Sequence, residues 1–330
     1  MKFTSLLLLL PLVGKVALAQ QQPLVFFYRD VQSYLNPAAV ATDFLRNDYN
    51  LTAGAAVRTQ WTDTPDSPQT QLLWYEYLFP EVKVIAGGHL LNDRAGPISL
   101  TALTGRAAVY LNRSGRLDDG GLLLGLSGGL IHHRISTIGV TFLQANDPLQ
   151  NFGASRMVPN LGAGVFGYLP LNGDGANSFR SGKRAQTAHK LYAGIGTPYF
   201  FETELVFLND GQPLPQRRVR HLYGNLGAYF FLGGGTFLEI STWTRRVRGA
   251  PWSTDFNLRY QLHPRIWMGM GYGLRTHFSG EFGILLNDGE DISTNWNLRL
   301  AYGFTYALNG EAPSLGGSHE ISLVYLLDRQ

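Results

Sequence analysis

The sequence predicts an all-β chain that closes into a transmembrane antiparallel outer-membrane β-barrel of about 14 strands. Three observations carry this expectation. From Tyr49 to the end, apolar and polar residues alternate with period 2, in segments long enough to cross a membrane. The chain opens on an export leader. Tight turns alternate with longer polar loops, as they do between strands of bacterial outer-membrane barrels.

Composition agrees and removes other classes. Charged residues are 15% of the 330, against about 25% in an average soluble chain, and glycine is high at 39. A net charge of +3 excludes a strongly basic nucleic-acid binder and an acidic disordered tail. The chain has no cysteine, which excludes a disulfide scaffold, a thiolate zinc site, an iron–sulfur cluster and a cysteine nucleophile. Mean hydropathy is −0.06, whereas a helical membrane protein is far more hydrophobic.

Residues 1–19 read as a signal peptide. Lys2 supplies the positive start, Leu6 to Leu10 begin the apolar run, and Ala17-Leu18-Ala19 is the cleavage site, leaving Gln20 first in the mature chain. A membrane anchor is the rival reading, but Pro11, Gly14 and Lys15 interrupt the run before it reaches spanning length. No lipidation cysteine follows. Residues 20–48 form a non-periodic arm, expected on the periplasmic side or folded into the lumen, and 49–330 form the barrel.

The alternating segments fall at 49–61, 70–79, 82–91, 99–111, 121–133, 159–169, 190–200, 220–231, 236–246, 252–262, 266–277, 280–286, 295–307 and 320–327. The segment from Trp252 shows the pattern cleanly. Trp252, Thr254, Phe256, Leu258, Tyr260 and Leu262 share one face; Ser253, Asp255, Asn257, Arg259 and Gln261 share the other. Turns at 79–81, 232–235 and 263–265 are short, and connections at 61–69, 134–158 and 201–219 are long. The stretch 171–189 is long yet falls on the short-turn side.

A soluble β-sandwich is the alternative architecture, but its outward face would be charged. Here the polar face is rich in Gly, Asn, Ser and Thr, and Trp61, Trp252, Trp296, Tyr302 and Tyr306 sit where interfacial girdles belong. Closure also removes sheet edges, which in hydrocarbon leave backbone groups unpaired at several kcal/mol each.

Alternation turns Arg58, Arg106, Glu239, Asp255, Arg259 and Arg299 inward, because an arginine or lysine facing lipid at mid-membrane costs roughly 2–4 kcal/mol. These side chains pair across the lumen, close it, or grip a polypeptide. Bulky Trp74, Trp243, Phe237, Trp267 and Tyr223 share the inward face and point to a filled pore.

Chemical motifs have plainer readings. Gly125-Leu126-Ser127-Gly128-Gly129 matches a hydrolase elbow but lies inside a strand with no helix after it. Gly162-Ala163-Gly164-Val165-Phe166-Gly167 matches a dinucleotide loop without its βαβ frame. His132-His133 and His319-Glu320 are strand neighbours on opposite faces and cannot chelate as units. Asn172-Gly173-Asp174-Gly175 and 287–291 lack the full calcium-loop pattern and read as turns. No catalytic residue, metal or cofactor is expected.

Several segments together resemble the PorP/SprF family of type IX secretion outer-membrane proteins. Tyr34-Leu35-Asn36-Pro37-Ala38 stands after the leader, and Arg58-Thr59-Gln60-Trp61 is similar to the family's R-x-Q-W. Asn92-Asp93-Arg94-Ala95-Gly96-Pro97 is similar to its N-D-x-x-G-P loop, with Asn146-Asp147-Pro148 and Gly194-Ile195-Gly196-Thr197-Pro198 further on. Arg248-Gly249-Ala250-Pro251 resembles K-G-A-P, Ile266-Trp267-Met268-Gly269 with Gly271-Tyr272 resembles F-W-x-G-x-x-Y, and Gly317-Ser318-His319-Glu320-Ile321 opens the terminal segment. The chain departs from the family in lacking its Q-Y-M-F-N run and in ending Leu327-Asp328-Arg329-Gln330 rather than on an aromatic.

The resemblance implies a non-enzymatic protein of the outer membrane, in contact with outer-membrane lipid. It implies support for secretion and surface attachment of adhesins with type B C-terminal sorting domains. The expected partners are that adhesin domain, the secretion lipoprotein ring and translocon components. On this reading Asn36, Pro37, Trp61, Asn92, Asp93, Gly96, Pro97, Asn146, Asp147, Pro148, Gly249, Ala250, Pro251, Gly317, Ser318, His319 and Glu320 are the partner-binding positions. The alternative is a passive channel or hydrophobic-solute transporter, which needs an open lumen.

Overall fold

The computed structural model describes residues 27, 29–41, 44, 49–112, 120–138, 140, 152–171, 189–209, 212–233, 235–286, 295–308 and 312–328. The strands are β1 (Leu51–Thr59), β2 (Gln69–Phe79), β3 (Val84–Ala95), β4 (Ile98–Leu111), β5 (Gly121–Ser136), β6 (Gly153–Pro170), β7 (Lys190–Thr197), β8 (Thr203–Asn209), β9 (Gln212–Arg218), β10 (His221–Gly233), β11 (Thr236–Val247), β12 (Ser253–His263), β13 (Ile266–Gly273), β14 (His277–Leu285), β15 (Trp296–Ala307) and β16 (Ser318–Leu327). Fourteen of them, β1–β7 and β10–β16, form a closed antiparallel barrel, and β8–β9 pair with each other as a separate hairpin.

Closure follows from register. β1 pairs β2 on one side and β16 on the other over its whole length, from Leu51↔Leu327 to Thr59↔His319. Neither end of the sheet has a free edge, so its backbone groups pair within the barrel, which hydrocarbon demands. Alternation then sorts the side chains. In β5, Leu123 and Ile131 point inward and are buried, while Leu122, Leu124, Leu126 and Leu130 point out and are exposed. Phe256, Leu258, Met270, Phe278, Phe282, Leu300, Ile321 and Leu323 extend this outward apolar surface around the barrel. A continuous band of this size meets lipid, because soluble monomers do not carry one. Trp252, Trp296, Tyr302 and Tyr306 lie on the same outer face.

The start of β1, the end of β16, the turns at 80–83 and 264–265 and Gly235 share one rim, here the turn rim. The connections 60–68, 198–220 and 308–317 leave from the other, the loop rim.

The strands differ from the sequence expectation in places with physical reasons. The expected loop at 92–97 is mostly strand: β3 continues through Ala95 and only Gly96 and Pro97 turn, with Gly96 at φ 57°. The connection after β5 is shorter than 134–158, since β5 runs to Ser136 and β6 starts at Gly153. The segment expected at 266–277 breaks at Leu274-Arg275-Thr276, where Arg275 takes φ 59°, and His277 opens β14. Inside the long 201–219 connection, β8 and β9 form a hairpin that alternation did not flag. Pro213 and Pro215 obscure it, and proline is tolerated there because β9 is an edge strand with one hydrogen-bonded neighbour. The leader at 1–19 and the turn motifs at 172–175 and 287–291 lie outside the described residues.

Candidate functional site: the arm-filled lumen and its two rims

The barrel is filled by its own N-terminal arm. Phe27, residues 29–41 and Phe44 are all buried within it. Val31, Tyr34 and Leu35 join an apolar cluster of loop-side residues that includes Leu91, Ile131, Tyr199, Tyr223 and Trp243. Ala38 to Ala41 and Phe44 join a second cluster towards the turn rim, with Leu78, Ile85, Tyr110, Phe166, Tyr192 and Phe237. Phe27 packs edge-on against Trp267, at 6.2 Å between ring centroids. The arm therefore rises from Phe27, bends through the short 3-10 turn at Gln32–Tyr34, and returns through Ala38–Ala41 to Phe44 in the turn-side cluster.

Two similar wall features grip it. Across β2, β3 and β4 the registered row Glu76–Gly87–Arg106 places a glycine between opposite charges. Across β14, β13 and β12 the row Glu281–Gly269–Arg259 does the same. A Cβ on Gly87 would meet Glu76 Cγ at 3.0 Å, and one on Gly269 would meet Glu281 Cγ at 2.8 Å, so the missing side chains make room for the long carboxylates. Arg106 Nη2 reaches Glu76 Oε2 at 2.6 Å and Arg259 Nε reaches Glu281 Oε1 at 3.3 Å.

Each row takes part of the arm. At the first, Ser33 Oγ donates to Glu76 and lies 2.8 Å from His89 Nε2, while Arg106 Nη1 donates to Pro37 O at 3.2 Å. At the second, Arg29 donates to Glu281 and lies 3.9 Å from Glu239 Oε2. Asp30 meets Arg299 Nη2 at 3.0 Å and Arg259 Nη1 at 3.8 Å, and Arg259 also covers the Trp267 ring at 4.0 Å. Glu239 accepts from Tyr192 Oη at 2.8 Å. Glu320 accepts from Phe27 N at 3.1 Å and faces Arg58 Nη1 at 3.6 Å. Each of these charges is buried with an opposite partner, as burial requires.

Asn36 sits in a glycine cradle. Its Nδ2 donates to Val165 O at 3.0 Å and its Oδ1 accepts from Ala38 N at 3.0 Å. A Cβ at Gly196 or Gly194 would stand 2.7 or 2.8 Å from Asn36 atoms, and one at Gly164 or Gly125 would overlap Asn36 or the Pro37-Ala38 backbone. The residual cavity beside the arm, lined by Ser33, His89, Ser127, Asn160 and Tyr199, holds about 20 Å³, room for roughly one water.

The hairpin β8–β9 covers the loop-side mouth. Leu205 and Phe207 are buried in the upper cluster. Arg218 stands 5.0 Å from the Tyr199 ring centre and donates to Thr203 Oγ1 at 3.2 Å. Burial pushes the Tyr199 phenol up to about 12. At the hairpin base Glu202 pairs with Arg217 and with Arg248 Nη1 at 3.5 Å. Desolvation works to raise its pKa, but the hydrogen bond and charge of Arg217, with the charge of Arg248, hold it below the usual carboxylate value.

The sequence-derived partner positions divide. Asn36, Pro37, Ser318 and Glu320 are buried inside the barrel; Asn36 and Pro37 belong to the arm, and Glu320 meets it at Phe27 N. Gly96, Pro97, Gly249, Ala250 and Pro251 are exposed loop-rim turns, and Gly317 and half-buried Trp61 lie nearby. Asn92 faces out on β3, and Asp93 faces the other way and accepts from Thr70 Oγ1 at 2.6 Å. His319 faces out and lies 2.7 Å from Tyr302 Oη. Asn146, Asp147 and Pro148 lie outside the described residues. Of the inward charges, Arg58, Arg106, Glu239, Arg259 and Arg299 are buried, whereas Asp255 is half-buried near the loop rim, 3.9 Å from His277 Nε2. Sequence reasoning did not single out Glu76, Glu281, Arg29 or Asp30. The signal was present: Glu76 shares a face with Trp74, and Arg29-Asp30 is the one adjacent charge pair in the arm's apolar stretch.

A closed antiparallel barrel with an apolar exterior and a polar, charge-paired interior defines a β-barrel protein of the outer membrane. The chain belongs to the family described as type IX secretion system membrane protein PorP/SprF, which it matches over residues 17–325. Membership gives it an outer-membrane role in type IX secretion and implies interaction with components of that system. Among solved structures it is similar to a FadL homologue of Pseudomonas aeruginosa, at 11% identity over 90% of this chain and 93% of that one, with a TM-score of 0.47. The toluene transporter TodX of Pseudomonas putida gives 11% identity over 90% and 97%, with a TM-score of 0.47. The outer membrane protein Omp33 of Acinetobacter baumannii gives 6% over 85% and 98%, with a TM-score of 0.41. A comparison with curated proteins gave no match.

Proposed function

We propose that the barrel supports secretion and surface attachment of adhesins bearing type B C-terminal sorting domains, in gliding or adhesion. It acts as a non-enzymatic docking platform. The loop rim faces outward and receives the adhesin's terminal domain; the turn rim faces the periplasm and the lipoprotein ring. The observation that supports this most is the filled lumen: among the described residues, the arm packs against both walls and β8–β9 packs into the loop-side cluster, occupying space that a channel would leave open. A closed barrel also lacks strand edges, so recognition falls to loop-to-domain contact through polar and aromatic anchors at the exposed turns. Gly249-Ala250-Pro251 beside Arg248, and Gly96-Pro97 beside Arg94, are such turns. Replacing residues 141–150 by a short Gly/Ser linker is expected to abolish surface retention of the adhesin while the barrel stays heat-modifiable on gels. Unchanged retention contradicts the docking role.

A further inference from the structure

The geometry points to a binding site for the phosphate-bearing headgroup of a membrane lipid on the outer wall of β3–β5, at the loop-side edge of the apolar band. Three registered rows define it. The lowest is Leu90–Leu103–Leu130, paired in register across β3, β4 and β5 and exposed at 43%, 64% and 51%. The residues beside them in sequence, Leu91, Ala102 and Ile131, are buried, so the leucines face lipid. Two residues up each strand comes Asn92–Thr101–His132, and two further comes Arg94–Ser99–Arg134. All six lie on the leucines' face, and Gln71 and Gln69 of β2 extend the two rows sideways.

An acyl chain on the leucine row thus runs up into a polar headgroup surface within one barrel wall. Arg94 and Arg134 flank Ser99 on directly paired strands. Their backbones stand two strand spacings apart, roughly 10 Å, and both long side chains can converge on one phosphate over the serine. The row beneath offers amide, hydroxyl and imidazole groups to ester or sugar oxygens; Thr101 Oγ1 already donates to Asn92 Oδ1 at 3.1 Å. Among the described residues, one opposing charge faces the patch. Asp66 Oδ1 of the 60–68 connection lies 3.6 Å from Arg94 Nη2, with both side chains mostly exposed, a weak pair that a dianionic headgroup displaces. The loop-side edge around β12–β15 differs: it presents Trp252, Phe256, Phe278, Phe304 and Tyr306, and the nearby Arg246 is stacked 5.1 Å over Trp252.

The test uses the full barrel in neutral detergent, doped with phosphatidic acid or phosphatidylcholine, with retained lipid counted by native mass spectrometry. The protein is expected to prefer phosphatidic acid by roughly 30-fold, the factor that two basic groups at a charged surface supply. Arg94→Ala with Arg134→Ala should remove most of that preference, Asp66→Asn should raise it, and Arg246→Ala should leave it unchanged. These are exposed side chains, and heat-modifiability on gels checks that each variant is folded. The proposal is overturned if the double variant keeps the preference. It is also overturned if excess inorganic phosphate strips the lipid as well as competing phosphatidic acid does, which would make this a free-phosphate site.

Discussion

Asn36 shows how strongly single residues specify where the arm lies. Its amide bonds one strand's carbonyl and its own turn, and three wall glycines are shaped around it. Gly196→Val fills that space, so the arm must shift while the strand itself gains a good β former. Trypsin cleavage at Arg29 in the detergent-solubilised barrel reports this: the native chain, with Arg29 buried, should resist, and the variant should be cut. The charge rows make a second residue-scale prediction. Glu281 serves both Arg29 and Arg259, so Glu281→Gln leaves buried cations under-compensated and should cost about 3–5 kcal/mol in denaturant unfolding, whereas exposed Asp66→Asn should cost less than about 1 kcal/mol. Equal effects of the two would remove the network from the account.

At the scale of elements, strands were legible where one face is apolar and the other wet, as from Trp252 onward, because burial and lipid exposure both follow period 2. Elements shaped by other forces were not. The hairpin β8–β9 carries two prolines, and its buried Leu205 and Phe207 answer to a cluster assembled from distant strands. The arm has no periodicity, and its destination depends on wall glycines and carboxylates far along the chain, from Glu76, 43 residues beyond Ser33, to Glu320, 293 beyond Phe27. Asn36 and Pro37 were recognisable as a motif, but nothing local reveals that they point into the lumen. The hairpin base yields a pH prediction. With Glu202 held below its ordinary value, its pairing with Arg217 and Arg248 is complete above the normal carboxylate pKa and is lost as pH falls through the lowered one. A fluorescent label on the hairpin should therefore gain mobility only in acid, and Glu202→Gln should show that mobility already at neutral pH. Because the pairs are exposed, salt should weaken them too.

For the whole molecule, closure, lipid-facing exterior and filled interior are one construction. Neighbouring strands pair round to β1 and β16, alternation sends leucines out and charges in, and the arm completes the interior that the wall alone leaves polar. A docking platform and a channel differ in conductance, and planar-bilayer recording compares the two directly. The intact barrel is expected to pass no large steady current, and deletion of residues 27–41 is expected to open one through the vacated lumen. Large steady conductance from the intact protein, equal to that of the arm-deleted form, would contradict the account.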